Sequence, residues 1–376
     1  MAKFLRRTWA EIDVNALIHN FNIIKSTAKV PICAVVKANA YGHNVDIVVP
    51  VLEKAGADFF AVSNIEEAIE LRELGITKPI LILGYTPCEY VTELNKYDIS
   101  QCVYSLDYAR ELSFEAIKNN IKIKIHIKLD TGMSRIGFDC RSNALNGIND
   151  AIVSAKLEGF ILEGVFTHFA VSDRNKMQED GFTDEQYNRF DNAVVLLKQS
   201  GLNPQLCHCC NSAALCLDNN KHFDMCRAGI ILYGLTPSSD LKLPQDFIPA
   251  MNFKSVVSLV KTISKGDTVS YGRTFKAQKD MTIATVSCGY ADGYPRLLSS
   301  KGYVLINGKR ANILGRVCMD QFCVDITNIP NIKRGDEVLL WGRDLPVEQF
   351  ADMIGTINYE LVCGVSERVK KIKKEQ

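Results

Sequence analysis

Apolar and polar positions along this chain follow two regimes. Over residues 13–233, short apolar runs alternate with stretches of helical periodicity. Leu17, Phe21 and Ile24 lie on one face of a helix that Asp13 caps and that runs to about Ala28. The apolar run 32–36 then predicts a buried strand ending at Lys37. The alternation continues as helix 46–55, strand 59–62, a charged helix 66–74 closed by Gly75, strand 79–83 and helix 89–96. Strand 101–104 follows, then helix 107–119 with Asp107 as its cap. Residues 122–129 alternate into Asp130-Thr131-Gly132, and a helix near 143–155 leads to strand 164–168. A long polar helix 184–199, strand 205–210, a short helix from Ser212 and an apolar strand over 225–233 complete the series. Short apolar runs that follow helices imply parallel strands covered on both faces. Eight such units in about 230 residues predict a (β/α)8 barrel rather than an open doubly wound sheet. No G-x-G-x-x-G opens the first helix, which also disfavours a dinucleotide-binding sheet.

The pattern changes across 237–249, a linker rich in Pro, Ser and Asp. Beyond it the chain is strand-rich, with candidates at 254–263, 281–288, 304–306, 310–316, 323–326 and 337–341. Asn307-Gly308 between two of them is a type I′ hairpin signal. A helix at 347–353 and a last strand within 365–369 follow. The expected organisation is a barrel over residues 1–240, with 8–13 as its entry segment, and a mostly-β C-terminal domain over 241–376.

Composition narrows the function classes. With 376 residues, 47% hydrophobic and 23% charged, the chain has an ordinary globular make-up, and its formal net charge of +1 suggests neither nucleic acid nor an anionic membrane as partner. Lys370, Lys371, Lys373 and Lys374 read as a solvated tail. No apolar run reaches membrane-spanning length and no signal core stands near the start, so a cytoplasmic location is expected. The 13 cysteines are scattered through apolar runs. Cys207-His208-Cys209-Cys210 contains one C-x-x-C spacing but no second ligand pair follows it, so reduced core thiols and no metal are expected.

Candidate chemistry begins at Lys37. A lysine at the end of a buried strand loses hydration, which lowers its pKa and frees the amine for Schiff-base chemistry. A lone lysine there would more often be a charge escaping to solvent. The surrounding phrase Val35-Val36-Lys37-Ala38-Asn39-Ala40-Tyr41-Gly42-His43 resembles the pyridoxal phosphate (PLP) attachment site of the alanine racemases. A second match, Lys128-Leu129-Asp130-Thr131-Gly132-Met133-Ser134-Arg135, and further ones in the β-rich domain extend the resemblance from Thr8 to Val369. The chain is identified as a member of that family.

The resemblance implies a set of roles. Lys37 would hold PLP. Tyr41, Ser212, Gly229, Ile230 and Tyr359 would surround its phosphate, with Asn211 beside them and His168 next to the ring. Arg227 would face the pyridine nitrogen, and an arginine donates a hydrogen bond there without giving up a proton. Arg135 would meet the substrate carboxylate, and Lys128 matches a lysine that some members carry as a carbamate. Val269-Ser270-Tyr271-Gly272-Arg273 resembles the loop that carries a second catalytic base, so Lys37 and Tyr271 would act on opposite faces of the substrate. Tyr290 would narrow the substrate entrance and the Met319 amide would meet the carboxylate. In this family the loop with Tyr271 reaches the other subunit of a homodimer with shared active sites. The implied activity interconverts L- and D-alanine for peptidoglycan synthesis. Asn44, Cys209, Cys210 and the Val365-Ser366-Glu367-Arg368 ending depart from the usual family pattern and leave room for a preference such as serine. A PLP-dependent decarboxylase shares the architecture, but its glycine-triplet phosphate loop is not found. A non-catalytic PLP carrier would lack residues 250–376.

Overall fold

The computed structural model describes residues 6–174, 180–239 and 241–374. Asp240, at the expected domain division, lies outside them. Eight parallel strands form the ring of the first sheet: Ile32–Val35, Phe59–Val62, Ile80–Ile82, Ile99–Val103, Ile123–Asp130, Phe160–Phe166, Leu206–His208 and Cys226–Ala228, with the short Phe138–Asp139 paired to Ile123–Asp130 off the ring. The last pairs with the first, Arg227 opposite Cys33. Between the seventh and eighth, Arg227 N–H donates to the Cys210 carbonyl at 3.1 Å and Asp224 N–H to Cys207 at 3.0 Å, bringing the ring to near closure. The short strands are buried on both sides because helices cover them, as the unbroken apolar runs predict.

The first helix, Val14–Ala28, starts where expected, with the Asp13 carboxylate accepting from the amides of Asn15 and Ala16. Its Leu17, Phe21 and Ile24 are fully buried. Four local readings are corrected. Helix Leu106–Lys118 is capped by Ser105, whose hydroxyl accepts from Tyr108 N, while Asp107 sits inside the first turn and serves the helix dipole. The helix expected near 143–155 begins at Ile148. The apolar run 225–233 is a strand only over Cys226–Ala228. Gly229 then breaks it, and Ile230–Tyr233 make a turn of 3-10 helix. The last strand is Lys370–Lys374 rather than a segment of 365–369.

The second sheet brings a larger correction. Thr8–Asp13 is no entry segment to the barrel. It lies in the second sheet, antiparallel to Met251–Ile263 and parallel to Lys370–Lys374. The lysines therefore decorate a sheet edge, where charge discourages pairing with another chain. The rest of this sheet is antiparallel and contains Met281–Val286, Tyr303–Ile306, Lys309–Leu314, Phe322–Asp325 and Glu337–Trp341. Asn307 and Gly308 both have positive φ, 51° and 72°, and join Tyr303–Ile306 to Lys309–Leu314 as the type I′ signal predicts. Among the described residues, no helix is long and apolar enough to cross a membrane.

Candidate active site

One cavity of about 610 Å³ opens at the C-terminal ends of the barrel strands and is walled by Lys37, Tyr41, Lys128, Arg135, His168, Asn211, Ser212, Arg227, Gly229, Ile230 and Tyr359. Each comes from the end of a strand or from the turn after it, except Tyr359, which the second domain brings in on helix Asn358–Cys363. Four basic side chains and one carboxylate, Asp173, line it. The guanidinium groups of Arg135 and Arg227 thus favour an anionic occupant.

Lys37 follows strand Ile32–Val35 across Val36. Burial, and then the positive charge of Arg135, lower its pKa and favour the free amine. The backbone after it is unusual. Ala38, Asn39, Ala40 and Tyr41 all have φ between 51° and 53°, a left-handed turn that costs about 1–2 kcal/mol per residue. Small side chains reduce the crowding, and two carboxamide or carboxylate groups hold the turn. Glu67 accepts from the amides of Ala38 and Ser63, both at 2.7 Å, and Asn39 Oδ1 accepts from Val45 N at 2.8 Å. The turn ends at Gly42, φ 77°, where a Cβ would come within 2.1 Å of the Val362 carbonyl oxygen. This close approach seats the Tyr359 helix against the lysine turn.

The opposite wall is built on the last two strands. Asn211 caps helix Ser212–Leu217 and also accepts from the Ser172 hydroxyl at 2.9 Å. Gly229 N–H donates to Ser212 Oγ at 2.9 Å. A Cβ on Gly229 would meet Tyr41 Oη at 3.0 Å and Ser212 Oγ at 3.4 Å, so glycine keeps open a small space edged by two hydroxyls. That cradle suits a phosphate, which needs amide and hydroxyl donors in reach.

Arg227 is 3% exposed. Its Nη2 donates to the carbonyls of Thr167 at 2.7 Å and Cys209 at 3.0 Å, and lies 3.3 Å from His168 Nδ1. Its Nη1 donates to the His208 carbonyl at 3.1 Å and to His208 Nδ1 at 2.8 Å. Because arginine keeps its protons, His208 Nδ1 must accept, and the tautomers beyond it follow. His208 Nε2 donates to His126 Nδ1 at 2.9 Å, and His126 Nε2 donates to Glu163 at 3.0 Å. Burial and the Arg227 charge hold His208 and His168 well below the usual imidazole range, so both stay neutral. At Glu163, burial pushes the carboxyl up, but hydrogen bonding from His126 leads a larger opposing effect, and the group is lowered overall.

His126, His208 and Glu163 were not singled out from sequence. Their only signal was parity, since His126 is two residues from Lys128 and so points the same way from its strand. Glu67 carried no signal at all.

Lys128 is fully enclosed, and among the described residues no carboxylate forms an ion pair with it. Its Nζ lies 5.0 Å from the Phe166 ring centroid and 3.4 Å from the Leu129 carbonyl. Burial, and then Arg227, bring its pKa down to about 7.

Three expected residues stand elsewhere. Tyr271, Tyr290 and Met319 do not line the cavity and are 74%, 43% and 52% exposed. They are nonetheless neighbours. The Ser270 hydroxyl donates to the Arg316 carbonyl at 2.7 Å, and the amides of Tyr290 and Ala291 donate to the carbonyls of Cys318 and Met319, both at 3.0 Å. The second domain thus gathers them on one open face.

Two family models match the chain. One, described as alanine racemase, N-terminal domain, covers residues 12–237, and the other, alanine racemase, C-terminal domain, covers 250–373. An alanine racemase of Desulfovibrio desulfuricans is 43% identical over 99% of each chain. Alanine racemase 1 of Clostridium acetobutylicum is 42% identical over 99% of this chain and 96% of its own. Among solved structures, alanine racemase of Clostridium difficile superposes with a TM-score of 0.92 at 40% identity, covering 99% of this chain and 97% of that one. Alanine racemase of Bacillus anthracis with bound L-Ala-P gives 0.90 at 37%, covering 100% and 96%.

Proposed function

This chain belongs to the alanine racemase family and is a PLP-dependent racemase, and from that premise we propose that it exchanges the α-proton of alanine between Lys37 and Tyr271, the tyrosine being supplied by a second copy of the chain. The observation that supports this division is the placement of Lys37 in the barrel cavity and of Tyr271 on an exposed face outside it. A base on one face can remove and return a proton without inverting the centre. A second base on the other face is what racemisation requires.

When bound, PLP supplies an electron-withdrawing ring that acidifies the Cα–H of an amino acid joined to it. Ser212, Tyr41 and the Gly229 cradle would hold the phosphate. Arg227, with both terminal nitrogens committed to carbonyls and imidazoles, would direct its remaining Nε–H into the cavity. It would donate there without protonating what it meets, which favours return of the proton at Cα over transamination. Arg135 would pair with the substrate carboxylate, Tyr290 would narrow the entrance, and the Met319 amide would reach the same carboxylate from the partner side. Lys37 Nζ, its proton affinity lowered by burial, would take or return the proton on one face, and Tyr271 Oη on the other. Lys128, as its free amine, would add to carbon dioxide and release one proton, giving a carbamate whose negative charge orients Arg135. D-alanine made this way supplies peptidoglycan synthesis.

The test mixes two damaged chains. Lys37→Ala and Tyr271→Phe should each lose racemisation by about a hundredfold or more, the scale for a positioned acid–base group. Tyr271→Phe should still bind PLP covalently, shown by borohydride reduction, and exchange the α-proton of one alanine enantiomer with deuterated solvent. After subunit exchange, the mixture should recover activity because a heterodimer rebuilds one intact site. Demonstrated exchange with activity at the parental level would refute the shared site. A chiral assay on alanine and serine side by side reads the substrate preference.

A further inference from the structure

We propose that Cys210, His222 and Cys226 form a buried binding site for a thiophilic d10 divalent cation of the zinc class, lying behind the Ser212–Gly229 cradle. Sequence spacing hid this group, because C-x-x-C over 207–210 has no second ligand pair nearby. The fold supplies one across strands. Arg227 N–H donates to the Cys210 carbonyl, which sets Cys226 beside Cys210, and the segment between helix Ser212–Leu217 and strand Cys226–Ala228 carries His222 onto both. The donor atoms of the three all lie within 4.8 Å of one another. Zinc bonds of about 2.3 Å to sulfur and 2.0–2.1 Å to nitrogen need donors somewhat closer than that. A contraction of about an ångström or less therefore completes the site.

A second observation points to a ligand. His222 is 5% exposed, and both its ring nitrogens face carbonyl oxygens, Nδ1 at 2.8 Å from Ala28 and Nε2 at 3.1 Å from Leu215. A neutral imidazole has one N–H, so one nitrogen presents its lone pair to an oxygen lone pair in a dry interior. In that neutral form a cation would give the lone pair a partner, while an imidazolium, which donates to both carbonyls, would release its second ring proton on taking up the ion. The Lys221 carbonyl, 3.2 Å from Cys210 Sγ, is placed to serve as a fourth donor.

Charge balance favours a divalent ion. The two sulfurs bind as thiolates, the protons they hold leave to solvent, and the charges of ion and thiolates cancel. A neutral assembly is what burial tolerates best. Cys210 directly precedes Asn211-Ser212 and Cys226 directly precedes Arg227, so the ion would tie together the two strand ends that carry the cradle and the arginine.

The test titrates chelator-treated full-length protein carrying Cys363→Ser, which removes the exposed thiol. With cadmium as probe, a thiolate-to-metal charge-transfer band should saturate at one ion per chain, and zinc should displace it. Cys210→Ser or Cys226→Ser should weaken binding at least about tenfold, since even outer-shell ligand partners are worth that much. Cys216→Ser, a buried thiol outside the group, should leave it unchanged. In case the serine variants fail to fold, X-ray absorption of the zinc-loaded unsubstituted chain reads the shell directly. Two sulfurs with two lighter donors support the site. Absence of stoichiometric binding, or a shell of oxygen and nitrogen alone, overturns it.

Discussion

At the scale of single residues, Lys128 is the clearest case of burial setting chemistry. Burial and then Arg227 outweigh the opposing charge of Asp130 on its ammonium, so the folded protein favours the neutral amine. The folded pKa, about 7, lies below the unfolded value of 10.5, so between these the unfolded chain binds more protons. Stability contributed by this site therefore rises as pH climbs from 7 towards 10.5, and the penalty is fully present below 7. In carbon-dioxide-free buffer, Lys128→Met should flatten that rise by a few kcal/mol across the window, on the order expected for a shift of this size. Urea melts of both proteins at stepped pH measure it, and parallel slopes would remove Lys128 as the cause. A carbamate signal from the protein under ¹³C-labelled carbon dioxide, absent in Lys128→Met, checks the proposed modification.

At the scale of elements, two contacts decide how the site is assembled. Ser105, not Asp107, satisfies a free amide of the first turn of helix Leu106–Lys118, that of Tyr108. Ser105→Ala should cost about 1 kcal/mol, whereas Asp107→Ala should lose only the dipole contribution of about 0.3–1 kcal/mol. Thermal melts rank the pair, and the opposite order would return the cap to Asp107. Gly42 presses against the backbone of the helix that carries Tyr359. Gly42→Ala places a methyl inside contact distance of Val362 and forces an unfavourable φ, so it should cost about 1–3 kcal/mol or more. It should also weaken PLP retention on dialysis, because Tyr359 and the Lys37 turn move apart. Normal retention with lowered stability would show that the two are not coupled.

At the scale of the whole molecule, the cavity and the Tyr271 face belong to one chain but do not meet within it. If a second copy supplies Tyr271, dilution should abolish racemisation as dimers separate, while the Lys37 link to PLP persists. Activity against concentration, beside sedimentation at the same concentrations, measures this, and full activity in a monomeric fraction would contradict it. The second domain is itself closed by both ends of the chain. Asp292, fully buried, pairs with Arg7 and, at 2.7 Å, with Arg368. These ion pairs join the start and end of the chain to the loop that carries Tyr290.

The sequence by itself determined the barrel and the β-rich second domain, and its resemblance to the racemases named residues from Lys37 to Tyr359 around the cavity, but not Ser63, Tyr85, Tyr104 or Asp173, which line it as well. Short-range signals suffice for the two domains, through apolar period, cap residues and the Asn307-Gly308 turn, whereas the site residues followed from the motifs that resemble the family. Tertiary structure alone decided what depends on contacts between distant segments. Thr8–Asp13 joins the second sheet by pairing with Met251–Ile263 and in turn seats the edge strand Lys370–Lys374, pairings between distant segments that no local pattern encodes. The relay from Arg227 through His208 and His126 to Glu163 depends on which side chains the closing ring turns inward together. The same is true of Cys210, His222 and Cys226. Periodicity reports how a residue faces its own element, and only packing decides which other element it faces.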